Sequence, residues 1–302
     1  MSSVPSDIPA ESEGRLSAPS FSSGLTVPDF AACLQMGLEP VGLVQGYCVM
    51  KWSFYGAGSP YMRGMGAYQY NTQQGAYSES YQCPHGYVGG EHISWGQNFE
   101  QTMVEAAWTQ GFTSAYSRLL EEATEAGGHG VIGLVDTVRS LTDQAVVEFH
   151  LLGTAVVVSD APGPPDGRPW TTYLAGQRLA KLVEAGFMPV SIAASMASVQ
   201  VWPYCMTEYY LRGQGGTYRW SPQYATSEIE QLSRAQMAVC RLAREHVRAQ
   251  LGTDTLYGAT FAASDYESSG GPVLEATLRG NRVRRFKAFD RLDPPRPTVR
   301  LT

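Results

Sequence analysis

"LQMGLEPVGLVQG" occupies residues 34 to 46, and "VEAGFMPVSIAAS" occupies residues 183 to 195. Each closes a short helical pattern with a glycine, Gly37 or Gly186, and continues through Pro-Val into an apolar, strand-like run. One coincidence of this kind carries little weight; its continuation in both directions decides the fold.

Upstream of the echo stand two short helical patterns, "VPDFAACLQMG" and "YLAGQRLAKLVEAG". Downstream, each half carries an aromatic and glycine-rich excursion and then a long amphipathic helix. In the first, Phe112, Tyr116, Leu119, Ala123 and Ala126 share a face; in the second, Leu232, Ala235, Val239, Leu242 and His246 do, behind a capping box of Ser227 and Glu230. Glycine-punctuated strands follow, "GVIGLVDTV" and "TLYGATFAA", and then "VVEFHLLGTAVVV" and "VLEATLRGNRVRRF". The last pair aligns Glu148 with Glu275, Leu151 with Leu278, Gly153 with Gly280 and Val156 with Val283. A tandem duplication is the economical reading, and its unit is strand, helix, strand, strand. Such a unit leaves open sheet edges that the other half, or further copies in a ring, must close.

The expected layout is an arm over 1–24, a first domain over 25–158 with a Tyr/Gly-rich insert at 54–97, and a linker over 159–170. A second domain follows over 171–290 with a shorter aromatic insert at 202–225, then a tail over 291–302. The chain has 302 residues, 43% hydrophobic composition and a net charge of -6, so it is read as globular without a polyanionic partner. No secretory pattern opens it and no run is apolar enough to span a membrane, which excludes a membrane partner. Five scattered cysteines without CxxC spacing suit a reduced cytoplasm.

The stretch "SAYSRLLEEATEAGGHGVIGLVDTV" with "HLLGTAVVV", together with "GLEPVGLVQGYCV", resembles the YbjQ-like family, also described as a heavy-metal-binding domain. The resemblance covers about 34–52 and 98–158 well and the second copy less closely. It rests on structural positions such as Gly133, Gly153, Gly258 and Gly280, so it speaks to fold more than to chemistry. It implies an α+β fold of two tandem units that assemble as a ring, with strands in a central barrel-like layer and helices packed around it. Five chains forming ten domains is the simplest closed homo-oligomer of this kind.

Candidate chemistry is sparse. Cys83, His85 and His92 lie within one insert, and a thiolate with two imidazoles would suit zinc or another transition metal. The spacing matches no standard zinc motif, and ordinary loop composition is the simpler reading. Cys48, Cys205 and Cys240 read as small hydrophobes, and His129 as a turn residue. The Glu121–Glu122 pair reads as a solvated helix face, and the basic run from Arg279 to Lys287 as a polar strand face. No nucleophile elbow, phosphate loop, HExxH or dinucleotide fingerprint is present, so a non-enzymatic protein is expected. The inserts pair rigid aromatic residues with adaptable glycine and serine, the composition of binding loops. Tyr68, Tyr70, Tyr77, Tyr81, Trp202, Tyr209, Tyr210 and Trp220 are the candidate contacts, either between copies of the chain or with another protein. A metal-handling role is the alternative that the family resemblance suggests.

Overall fold

The computed structural model describes residues 22–51, 81–82, 88–89, 98–142, 146–159, 164, 167–201, 228–268 and 271–287. Helix α1 (Val27–Gln35) starts at Thr26, whose Oγ1 accepts the Asp29 amide at 3.4 Å, and it ends at Gly37, where φ is 71°. Strand β1 (Leu38–Lys51) follows directly. Within the first insert, β2 (Tyr81–Gln82) and β3 (Val88–Gly89) form a two-stranded ribbon. Strand β4 (Asn98–Glu100) leads into α2 (Thr102–Glu125), then β5 (Gly130–Thr142) and β6 (Val146–Val158).

The second half runs β7 (Trp170–Thr171), α3 (Gly176–Glu184), β8 (Phe187–Val201), α4 (Glu230–Leu251), β9 (Thr255–Ser268) and β10 (Gly271–Arg285). Two four-stranded sheets result, ordered β1-β6-β5-β7 and β4-β8-β10-β9. The trios β1-β6-β5 and β8-β10-β9 match strand for strand. The matching extends to backbone detail: Gly133 in β5 and Gly258 in β9 both take φ near 60°, and each sits where the register with its neighbour slips. Gly37 pairs in the same way with Gly186.

The layers stack as α4, second sheet, α2, first sheet. Helix α4 lays Ala235, Val239, Ala243 and Val247 against β8 and β10. Trp108 and Phe112 of α2 share one buried cluster with Val44, Phe149 and Leu151 of the first sheet and with Ile192, Ala194 and Met196 of β8. Strand β8 is therefore buried on both faces over 192–199. Close approach fixes α2 in place: a side chain at Gly46 would meet the Ala115 carbonyl at 1.9 Å, and one at Gly111 would meet the Phe149 ring.

Three expectations need correction. Among the described residues neither sheet closes into a barrel, because each has two ends. Helix α2 is not wrapped around a strand layer but lies between two sheets, because its surface is apolar on two sides. Helix α4 begins at Glu230 with no side-chain cap, and Ser227 lies outside the described residues.

Candidate functional site

The seam between the halves is built from unlike surfaces. The first half contributes α2, the outer edge of β5 and the tip strand β4. The second contributes the face of β8 turned away from α4, together with residues 170–174, which precede α3. Along β5, the Thr172 amide donates to the Val131 carbonyl at 2.9 Å, while the Leu134 and Gly133 amides donate to the Thr172 and Leu174 carbonyls at 3.1 and 2.9 Å. Strand β4 extends the second sheet beyond β8, pairing Asn98 with Val201. At the N-terminus of α3, Asp29 of α1 accepts the Gln177 amide at 3.3 Å, and only glycine fits at 176 because the Asp29 backbone lies 2.3 Å from where a Cβ would stand.

Charge is also buried at this seam. Arg279 of β10 and Asp136 of β5 form a 2.8 Å ion pair whose carboxylate is only 6% exposed. Burial pushes the Asp136 carboxyl above its ordinary range, and the Arg279 guanidinium pulls it back. Nearby, Glu100, Glu105 and His246 place their ligand atoms within 4.8 Å of one another. Glu105, 8% exposed in its side chain, accepts the Ser198 amide at 2.8 Å and lies 3.9 Å from His246 Nε2. Burial is the largest cause that lifts its carboxyl to about 7; the Ser198 amide opposes the shift, the Glu100 charge adds to it and His246 opposes it. Two carboxylates and an imidazole are a usable mixed donor set for a divalent cation.

A sheet edge is a template for further strand pairing unless something blunts it. At β1, the Gln45 amide donates to Glu122 Oε2 at 2.7 Å and the Tyr47 carbonyl accepts from Arg118. Glu122 is thus an edge cap rather than a solvated residue, and burial raises its carboxyl. At β8, Gln250 donates to the Ala194 carbonyl at 2.9 Å and the His246 ring reaches the Met196 carbonyl at 3.4 Å. At β5, residues 170–174 fill the edge. Strand β9 differs: among the described residues no further strand pairs along its outer edge, and residues 257–265 are exposed on both faces. Tyr257 is 49% and Phe261 42% exposed there.

Cys83, His85 and His92 lie outside the described residues, as do Tyr68, Tyr70, Tyr77, Trp202, Tyr209, Tyr210 and Trp220. Tyr81 is placed by its backbone alone, opposite Gly89. Gly153 and Gly280 hold matching close contacts, with Val131 and Leu256 respectively. Of the basic run, Arg282 and Arg284 both bond Asp254, at 2.6 and 2.8 Å, and hold its carboxyl below the usual range. The sequence pattern placed His246 on the buried face of its helix; its side chain is in fact 36% exposed at the seam. His129 accepts the Val158 amide at 3.2 Å, a turn role. Glu100 and Glu105 carry no sequence signal, because their partner comes from the other half.

No family model matches the chain, and no solved structure matches it at a significant level. The chain is 26% identical over 281 residues to the "Encapsulin nanocompartment protein Rv1762c" of Mycobacterium tuberculosis, covering 91% of this chain and 90% of that one. Among the described residues, no helix is long and apolar enough to cross a membrane.

Proposed function

We propose that this protein is a non-enzymatic, ring-forming homo-oligomer built from two YbjQ-like units and presenting its Tyr/Gly-rich loops for binding. The observation that carries the reading is β9. A strand of 14 residues with exposed Tyr257 and Phe261 and an outer edge that no described residue pairs with is an aggregation hazard in a free chain, and a lasting partner removes the hazard. The similar mycobacterial protein is named for a nanocompartment, which supports an assembling role. A closed ring of five chains, ten units in all, is the arrangement proposed.

Native mass spectrometry tests this. The expected spectrum is a single closed multimer of identical chains; a 32.9 kDa monomer at every concentration would contradict the reading.

A second reading, metal handling, is favoured by the Glu100, Glu105 and His246 cluster. It expects one zinc ion retained per chain and lost in His246→Ala, and a spectrum without retained zinc excludes it.

A further inference from the structure

We infer that the bare edge of β9 is filled by residues 23–25 of a second copy of this chain, repeating between chains the contact that residues 172–174 make with β5 within one chain. The inference rests on the assembly reading and names its interface.

The grounds are three hydrogen bonds that recur in both halves. In the second, Thr172 Oγ1 donates to Asn281 Oδ1 at 2.7 Å, the Tyr173 amide donates to the same oxygen at 2.7 Å, and the Leu174 amide donates to Thr172 Oγ1 at 3.1 Å. In the first, Ser23 Oγ and Thr154 Oγ1 share a hydrogen at 3.3 Å, the Gly24 amide donates to Thr154 Oγ1 at 3.2 Å, and the Leu25 amide donates to Ser23 Oγ at 3.1 Å. Ser23, Gly24 and Leu25 are therefore held on β6 as Thr172, Tyr173 and Leu174 are held on β10. The latter three spend their outward backbone groups on β5 of the preceding half. Among the described residues the outward backbone groups of the former meet nothing.

The edge they would meet has the right form. Gly258 repeats the left-handed bulge of Gly133, so Leu256, Gly258 and Ala259 stand where Val131, Gly133 and Leu134 do. The repeated contact has the Ser23 amide donating to the Leu256 carbonyl, and the Ala259 and Gly258 amides donating to the Ser23 and Leu25 carbonyls.

Side chains agree with this placement. Where the internal seam buries the Asp136–Arg279 ion pair, the equivalent positions between chains are Phe261 and Leu152. Where Glu105 meets Ser198, the equivalents are Ile229 and Val49, the latter 46% exposed. Polar pairs inside the chain are thus matched by apolar pairs between chains, which is what a contact that forms from exposed surfaces and then excludes water requires. The contact joins unlike surfaces, so it extends head to tail and closes only as a ring.

Two blocking variants test the geometry. Ala259→Pro removes the donor on β9, and Ser23→Pro removes the donor on the arm. Each, checked for folding by its thermal melt, is expected to have the mass of one chain. Mixed, they are expected to form a dimer of one copy of each and nothing larger, because each mixture partner keeps the half-interface the other has lost. Phe261→Lys, which leaves the backbone alone, serves in place of Ala259→Pro, and a chain beginning at Gly24 in place of Ser23→Pro, should a proline variant not fold. If the variants keep the multimer mass of the unaltered protein, or the mixture stays at one chain, the inferred interface is wrong while the assembly reading stands. If the unaltered protein is itself a monomer, both fall.

Discussion

Strands β5 and β9 occupy the same place in the two sheets, share a left-handed glycine bulge and differ in fate. Ile132 of β5 is fully buried, whereas its counterpart Tyr257 is 49% exposed. Backbone geometry is therefore not what buries a strand here; what lies alongside it is. Strand β5 is covered because another unit follows it in the chain. Among the described residues no strand lies along the outer edge of β9, which keeps exposed the surface that such a neighbour would cover.

The largest expected effect that could break this comparison is at that matched pair. Ile132→Ala should cost about 4 kcal/mol in denaturant unfolding, whereas Tyr257→Ala should cost under about 0.5 kcal/mol in a chain held monomeric. Equal losses would mean that β9 is buried by its own chain. Next, Arg279→Met leaves Asp136 buried without its partner and should cost about 3 kcal/mol, while Phe261→Met at the position matching Asp136 should be close to neutral in the same monomeric background.

Acidity sharpens the seam itself. With Glu105 held near 7 against an unfolded value of 4.5, the folded state binds its proton more tightly. That contribution is fully present below about pH 4.5 and is lost as pH rises through about 7. Chelator-treated protein should thus lose on the order of 3 kcal/mol across this window, and Glu105→Gln should flatten the profile. An unchanged profile would remove Glu105 as its source. The smallest effect concerns what the two strands share: Gly133→Ala and Gly258→Ala should each cost about 1 kcal/mol for a left-handed backbone, and clearly unequal costs would argue against a common bulge.

Much of the local plan was legible because glycine and proline carry it. Gly37 with Gly186 and Gly133 with Gly258 are positions where only the backbone conformation matters, and that requirement leaves a mark in a single sequence. The seam was not legible. Glu100, Glu105 and His246 meet only because β4 crosses to pair with β8 of the other half, and no spacing encodes that crossing. Helix α2 read as having one apolar face, whereas the structure buries it between the first sheet and β8. Ser23 was lost in a Ser/Pro/Gly-rich arm. Its likeness to Thr172 resides in one hydroxyl and the bonds that it makes, below what composition can register.

The central claim is that β9 in the native protein is covered as β5 is, and amide hydrogen exchange at Gly258 and Ala259 tests it most directly. The account predicts that both amides are protected in the assembled protein, as those of Gly133 and Leu134 are by the Leu174 and Thr172 carbonyls, and that protection is lost on dissociation to single chains. Exchange of Gly258 and Ala259 at the rate of an open strand, in protein where β5 stays protected, would contradict it.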